Sequence, residues 1–88
     1  MNSTLKICFT IRYDSEDQAR VIFSSVFPEI QDQRFERSTA SIALEAQIII
    51  INITAYDVNA AKATIGSILR WISSTTRALM TLSKQTFN

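Results

Sequence analysis

From Leu5 to Arg12 apolar and polar residues alternate: Leu5, Ile7, Phe9 and Ile11 fall on one side of an extended chain, and Lys6, Cys8, Thr10 and Arg12 on the other. A period of two marks a half-buried strand. The period then changes. Ala19, Ile22, Phe23, Val26 and Phe27 recur at helical spacing behind Asp14 and Ser15, and Ser15 with Gln18 has the spacing of a capping box. Pro28 lacks an N–H and disfavours a helical residue before it, so this helix is predicted to end near Phe27 after roughly 13 residues, ~20 Å. Glu29 to Arg37 is mostly polar, with an isolated Phe35, and reads as a loop. Ala40, Ile42 and Leu44 alternate with Thr39, Ser41 and Ala43 in a second strand, and Glu45-Ala46-Gln47 is a short turn without glycine. Ile48 to Ala55 is a third strand, rich in β-branched residues, with isoleucine on both faces.

Asp57 is placed to cap a second helix that no proline interrupts, predicted to run to about Lys84, ~40 Å at 1.5 Å per residue. The order is therefore β-α-β-β-α, an α+β domain over residues 1–88: a three-stranded antiparallel sheet with two helices on one face. The other face of such a sheet has no cover from its own chain. Ile48 and Ile50 lie opposite Ile49, Ile51 and Ile53, so one of these sets needs a partner or meets water; Ile48 and Ile50 are the candidates for contact between two copies.

The long helix carries two stripes. Val58, Ala61, Ile65, Ile68, Leu69, Ile72 and Leu79 fall on one side and should face the sheet. Ala60, Thr64, Ser67, Trp71, Ser74 and Ala78 fall on another, and Gly66 stands beside them. Small side chains let a second helix approach closely. The first helix of the same chain could fill the N-terminal half of this stripe, but it is too short to cover all of it. Ser67, Trp71, Ser74, Ala78, Leu79 and Leu82 are therefore the candidate partner surface. Arg70, Arg77 and Lys84 recur every seven residues. With Arg12 they could meet phosphates, although such a row also suits the solvated side of a helix.

Composition narrows the functions open to the chain. It has 88 residues, no His, one Cys, one Gly and a net charge of +1. A single Cys8 forms no disulfide within the chain, and metal binding finds no ligand spacing. No glycine-rich phosphate loop, nucleophile–base pair or paired carboxylate is present, so no enzyme activity and no cofactor are expected. Helix capping accounts for Asp57 without a catalytic role. No apolar run reaches membrane-spanning length and no export signal is visible, so a reducing, cytoplasmic location is expected. A domain this small buries only ~60–65% of its unfolded surface, and with metal and disulfides set aside, oligomerisation is the remaining route to stability.

The stretch from Thr54 to Ile72, TAYDVNAAKATIGSILRWI, resembles the signature of the Pcc family, the small subunits of the KEOPS tRNA-modification complex. In that signature an Ala-x-Asp at a strand end, here Ala55 and Asp57, leads into a helix with Leu-Arg, Asn-Ser and a following Leu. Ser67 and Leu69 fit; Ala61, Lys62 and Gly66 depart from the usual Leu, Arg and Asn. Ser15, Ala19, Pro28-Glu29 and Arg37-Ser38 also look similar, and so does the element order. The resemblance implies a homodimer whose helices pack with a Kae-type catalytic subunit, with kinase and Cgi-type subunits attached further out. It implies that the assembly forms threonylcarbamoyl-adenosine in tRNA, in the cytoplasm and, in a eukaryote, also in the nucleus. Two other readings stay open: a stand-alone RNA-binding module working through Arg12, Arg70, Arg77 and Lys84, and a transcription-associated adaptor of the same fold.

Overall fold

The computed structural model describes residues 4–32 and 35–86, with side chains as far as Met80. Its elements are β1 (Leu5–Arg12), α1 (Glu16–Asp32), β2 (Ser38–Glu45), β3 (Ile48–Ala55) and α2 (Val58–Thr86). The strands form one antiparallel sheet in the order β1-β3-β2. β3 thus pairs on both sides, which explains its isoleucine content: Ile49, Ile51 and Ile53 are at most 1% exposed. The register places Ile11, Ile49 and Leu44 in one row, Phe9, Ile51 and Ile42 in the next, and Ile7, Ile53 and Ala40 in a third. Both helices pack on the face these rows present. Ile22, Val26 and Ile30 of α1 and Ala61, Ile68 and Ile72 of α2 complete the core.

Local chemistry sets each boundary. The N–H of Gln18 donates to Ser15 Oγ at 3.1 Å, and Gln18 Oε1 accepts from the N–H of Asp14 at 3.2 Å. Together they satisfy donors that the start of α1 would leave orphaned. Glu16 and Asp17 in the first turn suit the positive end of the helix dipole.

The expected end of α1 near Phe27 is wrong. The helix continues through Pro28 to Asp32. Proline inside a helix costs ~3 kcal/mol, because one hydrogen bond is lost and the ring presses on the preceding turn. Here that turn faces water: Ser24 and Pro28 are both exposed. Ile30, only 4% exposed, anchors the last turn in the core, and burying an isoleucine offsets the cost by ~1.5–3 kcal/mol.

The hairpin turn is two residues, Ala46 and Gln47, with Ala46 at φ 54°. That is left-handed backbone, which an alanine adopts only at a cost of ~1–2 kcal/mol. The turn is tied to the end of β1 from both directions. Tyr13 N–H donates to the Gln47 carbonyl at 2.8 Å, and Gln47 Nε2 donates to the Tyr13 carbonyl at 2.9 Å.

Candidate functional site

α2 decides what the fold can bind, because it is longer than the sheet it covers. Eight-residue strands reach ~27 Å. The 29 residues of α2 reach ~43 Å. The helix therefore runs well past the end of the sheet.

At its N-terminus the corner between β3 and α2 is fixed by Asp57. Its Oδ1 accepts from the Ala60 N–H at 2.8 Å, and Oδ2 accepts from Arg37 Nε at 3.2 Å and pairs with the Arg37 guanidinium at 3.0 Å. The guanidinium also lies over the Tyr56 ring, 5.5 Å from its centre, and the Arg37 carbonyl accepts from the Tyr56 N–H. The Ala60 N–H lowers the Asp57 carboxyl from its ordinary value; partial desolvation opposes this, and the hydrogen bond and charge of Arg37 reinforce it. Every bond at this corner is local to the fold, so Asp57 is a helix cap tied to the start of β2.

Past that corner three sides of α2 can be told apart. Ala61, Thr64, Ile68 and Ile72 are buried against the sheet. Thr64 is the one buried polar residue among those described, and its hydroxyl is bonded to that of Ser38 on β2. The small-residue flank turns toward α1 and the chain that follows it. Trp71 packs on Phe35, with ring centres 6.3 Å apart. Ser67 is half-buried, Ser74 and Ala78 are exposed, and Leu79 packs against the core. The opposite flank turns toward β1. Val58 and Leu69, which the sequence pattern set against the sheet, are instead 60% and 40% exposed there, and Met80 is 56% exposed. The side chains of Leu82 and Lys84 lie outside the described residues.

Two of these features had no counterpart in the sequence reading. Phe35, read as an isolated loop aromatic, covers part of the Trp71 surface. The exposed flank of Leu69 and Met80 went unnoticed, although a signal existed. The apolar arc of α2 is wider than the ~100° that a single core contact needs.

The open face of the sheet carries Arg12, Ile48 and Glu45 in one row, Thr10, Ile50 and Ala43 in the next, and Cys8, Asn52 and Ser41 in the third. Ile48 and Ile50 are half-buried in a mostly polar surface, and Cys8 is exposed. Of the proposed basic residues, Arg12 ends β1 and borders a cavity with Thr76, Leu79 and Met80 of α2, while Arg70 and Arg77 lie on α2 itself. Arg70 donates to Ser67 Oγ at 3.3 Å, and Arg77 lines the space between α2 and β1.

Charge is divided between elements. α2 holds Lys62, Arg70, Arg77 and Lys84 and no acidic residue, leaving five basic and eight acidic residues in the rest of the chain. Among the described residues no three His, Cys, Asp or Glu are grouped as metal ligands, and no helix is long and apolar enough to cross a membrane.

A helix-backed sheet with an uncovered face and an over-long helix is the form of a small assembly domain. The chain belongs to the Pcc1 family: the family model described as "Transcription factor Pcc1" matches residues 6–79. The chain is 37% identical over 62 residues to the KEOPS complex subunit Pcc1 of Pyrococcus abyssi (strain GE5 / Orsay), a match covering 70% of this chain and 76% of that one. A crystal structure of the binary complex Gon7-Pcc1 contains a chain of the same fold, with a TM-score of 0.78 and 15% identity over 89% of this chain and 95% of that one.

Proposed function

We propose that the chain is a non-catalytic, dimerising scaffold subunit of a KEOPS-type complex. The observation that carries this reading is the match to the archaeal KEOPS subunit over most of both chains. Two structural features support it. The sheet leaves one face uncovered, with Ile48 and Ile50 on its central strand toward the hairpin end. Among the described residues the outer edges of β1 and β2 are also unpaired, since both strands bond only to β3. A second copy is the natural occupant for such surfaces in a domain of this size.

On the helix side, the surface between α1 and α2 exposes Ser74 and Ala78 beside the half-buried Ser67 and Trp71. Small residues there allow close helix contact, and the Kae-type catalytic subunit is the partner we assign to it, with Leu79 and Leu82 at its far end. Kinase and Cgi-type subunits would join through that subunit, and tRNA would be met by the assembled complex. The complex would act in the cytoplasm, and also in the nucleus if the source is eukaryotic.

Variants with both Ser74→Asp and Ala78→Asp should keep the dimer and lose the catalytic subunit on a sizing column with light scattering. Undiminished binding would remove this surface from the interface. Trp71→Asp is a poorer probe, because it also breaks the packing on Phe35.

The acid-free α2 gives the RNA reading one observation of its own. It requires salt-sensitive tRNA binding by the isolated chain, lost when Arg70→Glu and Arg77→Glu are combined. Absence of binding at low salt would eliminate it.

A further inference from the structure

Tyr13 stands where the chain has just left β1, and its backbone is held on both sides by the hairpin turn. Its N–H donates to the Gln47 carbonyl at 2.8 Å, and its carbonyl accepts from Gln47 Nε2 at 2.9 Å. From that fixed base the side chain crosses to α2, where its hydroxyl shares a hydrogen bond of 3.3 Å with that of Thr76. The place on α2 is significant. The helix starts beside the far end of the sheet and runs back toward the hairpin end, and the rise from Val58 to Thr76 is ~27 Å, the reach of an eight-residue strand. Thr76 is thus where α2 clears the sheet. The part beyond it, to Thr86, is ~15 Å long.

We propose that Tyr13 is a positioning residue, a strut that fixes the angle at which α2 leaves the sheet and with it the partner surface on the far half of the helix. The link to a partner rests on the assignment of Ser74, Ala78 and Leu79 to the catalytic subunit; the strut itself does not. Three observations carry it. First, the strut is anchored at its base, because Gln47 ties Tyr13 to the turn between two paired strands. Second, the space around the contact is poorly filled. Two cavities flank it, one of about 580 Å³ bordered by Ile11, Leu69 and Ser73, the other of about 170 Å³ bordered by Asp14, Gln18 and Leu79, and Tyr13 and Thr76 line both. Third, the lever is long. A tilt of ~10° at Thr76 moves the end of α2 by ~2.6 Å, a large error for helices that interlock at ~8–10 Å.

Burial alone does not explain the residue. Tyr13 is half-buried against the core, a task that a phenylalanine ring would do equally well. A threonine hydroxyl within a helix commonly bonds back to a carbonyl one turn earlier; that of Thr76 meets Tyr13. The hydroxyl pair adds direction to a contact that packing leaves loose.

The test is amide hydrogen exchange by NMR on the full chain, paired with calorimetric titration of a Kae-type subunit. Tyr13→Phe and Thr76→Val each remove one hydroxyl and should melt within a few degrees of the parent. Both should speed exchange of the amides of residues 77–82 by ~3–10-fold and leave those of residues 61–68 unchanged. Both should weaken the Kae-type subunit several-fold, and the combined variant should lose no more than either alone. If Tyr13→Phe disturbs the fold by circular dichroism, Thr76→Val probes the same bond from its other end. Exchange unchanged in both variants, or raised equally along the whole of α2, would overturn the strut. Local exchange with unchanged affinity, or losses that multiply in the combined variant, would overturn its link to the partner. A parent chain that ignores the Kae-type subunit while exchange responds as expected would remove the docking assignment and leave the strut standing.

Discussion

Asp57 satisfies the first turn of α2 with one carboxylate oxygen and holds Arg37 with the other. Its carboxyl is therefore lower in the folded protein than in the unfolded chain. A lowered acid stabilises the fold above its unfolded value and loses that contribution as pH falls through the folded one. Thermal melts should accordingly show stability falling below about pH 3.8 in part through this residue. Asp57→Asn keeps a capping oxygen but has no proton to take up, so the difference from the parent should shrink as the pH is lowered through that range. A difference that stays constant with pH would contradict the assignment. Ala46 makes a second residue-scale test. It occupies left-handed backbone without being glycine, so Ala46→Gly should raise stability by ~0.5–1 kcal/mol in urea denaturation. A loss of stability would mean that the turn gains more from the alanine methyl than it loses in strain.

Among the elements, α1 shows how core packing overrides local preference. Its residues through Phe27 form a helix by propensity and capping, and the remaining turn forms because Ile30 finds the core. Pro28→Ala should therefore stabilise the protein by ~1–2 kcal/mol without changing the length of α1. Equal stability in guanidinium titrations would show that the ring is accommodated without strain.

The strands were legible in the sequence because β1 and β2 alternate cleanly and β3 is flanked by turn and cap residues. The long helix was legible because nothing interrupts it after Asp57. The reach of α1 was not, since it depends on a contact between Ile30 and residues distant in sequence. The exposure of Leu69 was hidden for a related reason. Periodicity shows which side of a helix is apolar, but where the helix sits on the sheet depends on how both helices share it. Of the candidate surface, the small-residue flank could be read from the sequence. Its partial cover by Phe35 could not, because that contact joins a loop to the middle of α2.

The whole molecule combines a thin core with large unfinished surfaces. Its core rests on β3, so Ile51→Ala should cost ~2–5 kcal/mol, a large share of the usual ~5–15 kcal/mol in reserve. Urea denaturation followed by circular dichroism would register the loss. The uncovered sheet face, the unpaired strand edges and the over-long α2 are all accounted for if the protein works as a joint between other subunits. Charge agrees with that division of labour: β1 and α2 are wholly basic among their charged residues, while α1 carries four acidic residues against Arg20. Different partners can therefore be steered to different sides of one small domain.

The claim on which the rest depends is that the chain dimerises and carries a catalytic subunit. Light scattering on a sizing column tests it, with the chain alone, then as the combined Ile48→Asp and Ile50→Asp variant, then mixed with a Kae-type subunit. The account requires the mass of two chains for the parent, of one for the variant, and a larger joint peak for the mixture. A parent that elutes as a single chain and leaves the Kae-type subunit free would contradict it.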